Sequence, residues 1–454
     1  MVYSDLLFFL GILPGSVLLS FFDRSTEYKN LILVLTSLVF FSWGKPFWVC
    51  LIFMTAVAEW LFGIWIENRS GKNAVLPLLL ALAMNIAVFL VFIRHFLYIR
   101  SDVFGYSEIF VALGVGFYVL KGFSYILDVF RGKISAEKNV FYLLTYMCAY
   151  FLLPTGPVIG YGEIIPQLKK RSLTLKGMND GLNSFVYGLG KAVIIAPVLK
   201  KVGEAGLNFD EINLVGCWVG VAAMLGFGYF VFTGFCDMSR GLGKIYGFDF
   251  AKNYSDLKAD GIYNGLIKNC NTSLAEFCED IAPKQNKSLR YIFVMISAVT
   301  AALWYRQSRN FLVVGAIIGV IIILESTLLK GFFEKAPAVI RFIVTYFVGM
   351  LVLGGLYFSS FSSYAKWITG LLGMGTKYIQ SVAVKDVLLN NIFILVIAFL
   401  LVFTPLKNAV KSRAVAYSEK SVEKYGKAHI AQTVLTALLF IVCIIAVASA
   451  NVKL

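Results

Sequence analysis

The chain of 454 residues is 59% hydrophobic and only 15% charged, well under the roughly 25% charge of an ordinary soluble domain. That balance excludes a water-soluble globular protein and predicts an all-α, polytopic integral membrane protein. The formal charge of +15 is carried by short loops between apolar runs, where the cytoplasmic Lys/Arg bias of membrane proteins accounts for it, so no nucleic-acid partner is expected.

Met1-Val-Tyr-Ser-Asp5 has neither the basic start nor the cleavage site of a signal peptide, so the first apolar segment is expected to stay as an anchor. Apolar runs then predict helices near 5–22, 30–49, 51–66, 75–93, 109–127, 139–153, 182–199, 213–235, 289–304, 311–329, 338–358, 388–405 and 433–450. They amount to about 11 to 13 membrane crossings in one membrane-embedded domain over 1–454. Threading with the N-terminus outside puts Arg24/Lys29, Arg69/Lys72, Arg131/Lys133/Lys138, the run Lys169-Lys170-Arg171, the segment 236–288 and the loop 406–427 on one side. That side is predicted to be the cytoplasm of a plasma membrane.

The threading requires 154–168, rich in Gly and Pro, to dip into the membrane and return. Backbone that is irregular at that depth must be buried in protein or line a cavity, and a central cavity is expected there. Segment 236–288 is too polar for a span and reads as re-entrant or interfacial. From 359 to 387, Phe361, Tyr364, Trp367 and Tyr378 suit an extracytoplasmic aromatic belt.

Ionisable groups near or within spans are costly and therefore candidates for function. Asp128 and Arg131 stand at i,i+3 spacing, as do Asp237 and Arg240; such pairs can neutralise one another at helix ends. Glu59, Glu163 and Glu325 have no obvious local partner and suit a cavity lining. Of the seven cysteines, Cys50, Cys148, Cys217 and Cys443 lie in apolar runs, while Cys270 and Cys278 have no metal-ligand spacing, so neither a disulfide framework nor a metal is predicted. His95 and His429, the two histidines of the chain, read as solvated loop residues.

The run from Phe230 to Gly247 carries Phe230, Phe232, Thr233, Gly234, Phe235, Asp237, Met238, Gly241, Leu242, Gly243 and Gly247. Small residues at this density favour close helix packing. The run also resembles the Phe-x-Phe-Ser-Gly-Tyr-x-Asp-Met-x-x-Gly-Leu-Gly-x-x-x-Gly signature of the membrane-bound O-acyltransferase family. The resemblance is strongest to the bacterial branch that includes the membrane subunit of alginate O-acetylation and the membrane protein of teichoic-acid D-alanylation. Upstream, the stretches Gly114 to Tyr118 and Ser124 to Gly132, with Asp128 and Arg131, are similar to further family motifs. So is the turn at Pro154-Thr-Gly156-Pro157 with Gln167.

In that frame the family's three histidine positions fall on Asn271 in Cys270-Asn271-Thr-Ser273-Leu274, on Tyr305 in Trp304-Tyr305-Arg306, and on Ile318, with Glu325 retained. The resemblance implies that Asn271 and Tyr305 occupy catalytic positions and that Asp237, Arg240, Ser273, Trp304 and Glu325 line the substrate cavity. Asp128, Arg131, Gly156, Pro157, Gly234 and Gly241 would be structural. Acyl transfer from a thioester needs a base titrating near neutrality; Asn does not titrate, and Tyr ordinarily does so near 10. The reading is therefore a catalytically degenerate protein that scaffolds, binds acyl donor or lipid, or forms a conduit in acylation of an exported polymer. The alternative is an active O-acyltransferase, with transport of a small substrate as a third class. The implied donor is acyl-CoA or an acyl carrier protein, with no bound cofactor. The implied partners are membrane lipid, a secreted or membrane-anchored acyltransferase and an acyl-donor protein.

Overall fold

The computed structural model describes residues 7–22, 25–42, 47–69, 71–98, 106–153, 155–208, 210, 212–282, 286–305, 309–358, 360–402, 412 and 422–449. Among them the regular structure is helix throughout, apart from a single bridge between Asn213 and Tyr378. Every apolar run named above is helical over most of its described part. Val49–Glu67, Leu175–Gly206, Leu214–Ile245 and His429–Ser449 are long and apolar enough to cross a membrane, and a fifth span arises if Val382–Asn390 and Ile392–Val402, bent by 73°, act as one. Shorter apolar helices add to these. The protein is an all-α, multi-pass membrane protein.

Fewer helices pass this length test than the apolar runs suggested, and the run 139–153 illustrates why. Its helix, Val140–Cys148, has 9 residues, about 14 Å at 1.5 Å per residue, against about 30 Å of hydrocarbon. It is buried from Leu143 onward because it packs against Thr26–Ser42, Phe47–Glu67, Tyr106–Phe130 and Tyr161–Lys169. An apolar run of this length signals a core helix as readily as a span.

The chain forms two compact units, one of Met1–Gly188, Phe235–Lys252 and Ile444–Leu454, the other of Leu189–Gly234 and Asn253–Cys443. In the first, the buried helix is continued by an aromatic cluster in which Tyr150 meets Phe8 at 5.8 Å and Phe40 at 5.1 Å between ring centroids. The non-helical stretch 155–160 is largely buried. Arg171, counted above among loop cations, is instead a buried clamp. It donates to Asn30 Oδ1 at 2.5 Å and to the Tyr246 carbonyl at 3.0 Å, with its guanidinium 4.3 Å above the Phe248 ring. Burial pulls its pKa down to about 10, which leaves it charged at neutral pH.

Helices Leu175–Gly190 and Leu214–Ile245 cross at Gly181 and Gly241. A Cβ on Gly241 would stand 2.5 Å from the Gly181 carbonyl oxygen, and one on Gly181 would stand 2.7 Å from that of Gly241. The second helix runs ten residues past the expected end at 235, so segment 236–288 opens with helix; it remains hydrogen-bonded because its polar residues find partners within the protein.

In the second unit, Lys287–Tyr305 and Arg309–Ser326 pack side by side. The stretch after 359 departs from the expected aromatic belt. Trp367, on the Ser360-capped helix Phe361–Leu371, is fully buried and donates to the Cys217 carbonyl at 2.8 Å. Its indole packs with Leu207, Val221 and Phe358, while Phe361 and Tyr378 are exposed. The indole N–H found an acceptor on a neighbouring helix, which removes the need for an interfacial position.

Two substitutions test this packing. Gly241→Ala forces backbone against backbone and is expected to destabilise by about 1–3 kcal/mol, and Trp367→Ala to destabilise by about 3–5 kcal/mol. Melting of the detergent-purified protein should fall in both, with Phe361→Ala, at an exposed position, melting as the parent does.

Candidate functional site

Asp237 and Arg240 occupy successive turns of Leu214–Ile245. The i,i+3 pair predicted for them is not what forms. The buried Asp237 carboxylate meets Lys252 at 3.9 Å, and Arg240 Nε donates to the Phe250 carbonyl at 3.3 Å. The chain turns back after Ile245, and this return supplies both partners. Ser184 donates to the Asp237 carbonyl at 2.9 Å. Ser239, which the motif comparison passed over, bonds the Phe151 carbonyl and, at 3.0 Å, that of Gly156. The Gly156–Pro157 turn, whose Gly156 has φ +74° and whose peptide bond is cis, is thus joined to the signature helix. Asp128 meets Lys133 at 3.5 Å across a turn in which Gly132 has φ +67°, so its ion-pair partner lies five residues on. Gly234 is buried within the helix.

In the second unit, Asn271 caps helix Thr272–Ile281: its side-chain oxygen accepts from Leu274 N at 3.2 Å. The adjacent Thr272 and Ser273 amides donate to the backbone and side-chain oxygens of the buried Asn253 at 3.1 and 3.0 Å. Ser273 therefore lies in a hydrogen-bonded corner built by Asn253. Ile318, the third position that matches a family histidine, is buried with Ala298 and Val314. Trp304 and Tyr305 end helix Lys287–Tyr305; their side chains, and Arg306, lie outside the described residues.

Glu325, retained in the family frame, accepts from the Ile262 and Tyr263 amides at 2.5 and 2.9 Å. It acts as a remote cap for the turn Ile262–Ile267, satisfying amides that a helix start leaves unpaired. Gly261 makes the approach possible: its φ is +105°, and a Cβ there would fall 2.7 Å from Glu325 Oε2. The Gly261 amide donates to Thr345 Oγ1 at 3.0 Å. Of the other isolated acids, Glu59 is buried and accepts from Asn85 on the neighbouring helix, while Glu163 is exposed. His429 is exposed on helix Val422–Ser449, and the backbone of His95 belongs to helix Val75–Tyr98, so neither lies in a loop.

Burial pushes the Cys270 thiol up to about 12 and the Cys278 thiol up to about 11. Such thiols are poor nucleophiles at neutral pH, because the thiolate is the attacking form. Asn271, Asn253 and Ser273 thus serve as hydrogen-bond donors and acceptors, and neither neighbouring thiol is an activated nucleophile.

No family model matches the chain. Curated relatives do. The probable alginate O-acetylase AlgI of Azotobacter vinelandii is 26% identical over 377 residues, 78% of this chain and 74% of the relative. The protein of the same name from Pseudomonas aeruginosa is 24% identical over 390 residues, 81% of this chain and 74% of the relative. A peptidoglycan O-acetyltransferase of Helicobacter pylori is 22% identical over 426 residues, 82% of this chain and 80% of the relative.

Glu325→Ala is expected to release the amides of 262 and 263 and to destabilise by about 1–3 kcal/mol, the penalty for stranding buried donors; Glu325→Gln, which keeps one acceptor oxygen, should lose less. Hydrogen exchange over 261–265 would report the order. Loss of the cap in Asn271→Ala should lower stability by about 1 kcal/mol, while Asn271→Asp should retain it.

Proposed function

The chain is a relative of the membrane-bound O-acyltransferases, and on that premise we propose that it serves acylation of an exported cell-wall or exopolysaccharide polymer without performing the transfer itself. Its part is to bind an acyl donor or lipid, or to hold and conduct for a partner that carries the catalytic base. One observation carries this reading. At two of the three positions that match family histidines, the residue is committed to structure, Asn271 as a helix cap and Ile318 in an apolar cluster.

The chemistry makes those positions matter. As the acceptor hydroxyl attacks the thioester carbonyl, a C–O bond forms, the C–S bond breaks, and the hydroxyl proton must pass to a base. Losing such a base typically lowers the rate by about 10² to 10⁴. An amide that already accepts a backbone hydrogen bond cannot take that proton, and neither can an isoleucine. Both the implied donor, acyl-CoA or an acyl carrier protein, and the implied secreted or membrane-anchored acyltransferase are part of this proposal. An extracytoplasmic N-terminus, which the Lys/Arg-rich loops favour, belongs to it too.

A second reading, active transfer, is favoured by the names of the relatives, which are O-acetylases and an O-acetyltransferase. It would draw its base from Tyr305, with the charge of the neighbouring Arg306 to lower its pKa.

The two readings separate in one assay. The full chain, purified into lipid vesicles and given acetyl-CoA with alginate or peptidoglycan fragments, should release no thiol above the protein-free rate. Turnover that collapses in Tyr305→Phe would establish the second reading. Under the first, the double variant Asn271→His, Tyr305→His is the one expected to gain transfer.

A further inference from the structure

Loops 67–74 and 131–138 are counted on the same side of the membrane by their charges, and the structure joins them. Glu67, which ends helix Phe47–Glu67, pairs with Lys138 and accepts from the Ala136 amide at 2.9 Å. Beside this junction lies a cavity of about 490 Å³, lined among others by Glu67, Arg69, Gly71, Gly132, Lys133 and Ser135. Its size is within the range of small-molecule sites, and none of these residues was singled out as a cavity lining by motif or family frame.

The charges in the cavity are uneven. Its one acid among these residues, Glu67, is engaged by Lys138 and a backbone amide. Lys133 is shared with Asp128 at 3.5 Å, with its side chain 48% exposed. Arg69 is exposed and pairs with no acid among the described residues. The cavity thus presents a guanidinium and a half-exposed ammonium, and Ser135 adds a hydroxyl. It lies beside the end of Val49–Glu67, a helix long and apolar enough to cross a membrane, and the end of such a helix meets lipid headgroups. An Arg there forms bidentate bonds to phosphate oxygens, and each Lys or Arg near an anionic surface contributes on the order of 1 kcal/mol of attraction.

We propose that this cavity binds a phosphate monoester or diester whose negative charge is not cancelled by a cation in the same headgroup, with Arg69 and Lys133 as its cationic contacts. An anionic phospholipid headgroup and a soluble phosphate ester share that chemistry.

Native mass spectrometry of the detergent-purified full chain tests it. Dioleoylphosphatidylglycerol should be retained at least about fivefold more tightly than dioleoylphosphatidylcholine, the order of one such charge contact. The double variant Arg69→Gln, Lys133→Gln should lose that preference, and Lys366→Gln, which removes an exposed cation from the other unit, should keep it. Melting curves of all three establish that they fold. A second arm adds millimolar glycerol 3-phosphate, a soluble phosphate monoester: displacement of the glycerophospholipid assigns the cavity to soluble phosphate esters, and retention assigns it to lipid. Equal binding of the two lipids by the parent, or an unchanged preference in the folded double variant, would overturn the proposal.

Discussion

In hydrocarbon no water is on hand for a backbone N–H or C=O, and an unpaired one is worth several kcal/mol of instability. Where this chain leaves the helix, a residue from another segment meets the freed groups. Glu325 takes the amides of 262 and 263, Asn253 those of 272 and 273, and Ser239 the carbonyls of 151 and 156. Each polar residue in these contacts serves a break in the secondary structure. Within each unit the candidate residues are largely of this kind, and their local geometry follows from which breaks the sequence introduces.

This gives the polar residues of the signature helix a double reading. Asp237 is held by Lys252, Arg240 by a carbonyl of the return strand of chain, and Ser239 by the Gly156 turn. All three contacts lie within the first unit and tie the end of one long helix to the segments on either side of it. The run that resembles a family motif at this place therefore encodes a junction.

Much of the fold was legible in the sequence, because apolar length and period are local properties: every predicted run is helical over most of its described part. The short buried helix 140–148 was read as a crossing because composition alone does not distinguish a lipid solvent from a protein one. Trp367 was assigned to a membrane belt for the same reason. At the site, the residues were legible and their partners were not. Lys252, Asn253 and Asn85 are ordinary loop or helix residues until the fold brings them within reach of Asp237, Ser273 and Glu59. Sequence spacing suggested i,i+3 ion pairs, whereas tertiary structure supplied acceptors and cations from farther along the chain.

The crossing of Gly181 and Gly241 has a consequence for how this helix pair can change over time. Where two side chains clash, a smaller partner can compensate for a larger one, and the pair drifts together. Here each absent Cβ is opposed by the other residue's carbonyl oxygen, a group that every amino acid carries. No substitution at one position makes room at the other. The two positions are constrained independently and without remedy, so the helices can tolerate a larger residue only by moving apart, and the junction built on Asp237, Ser239 and Arg240 would move with them.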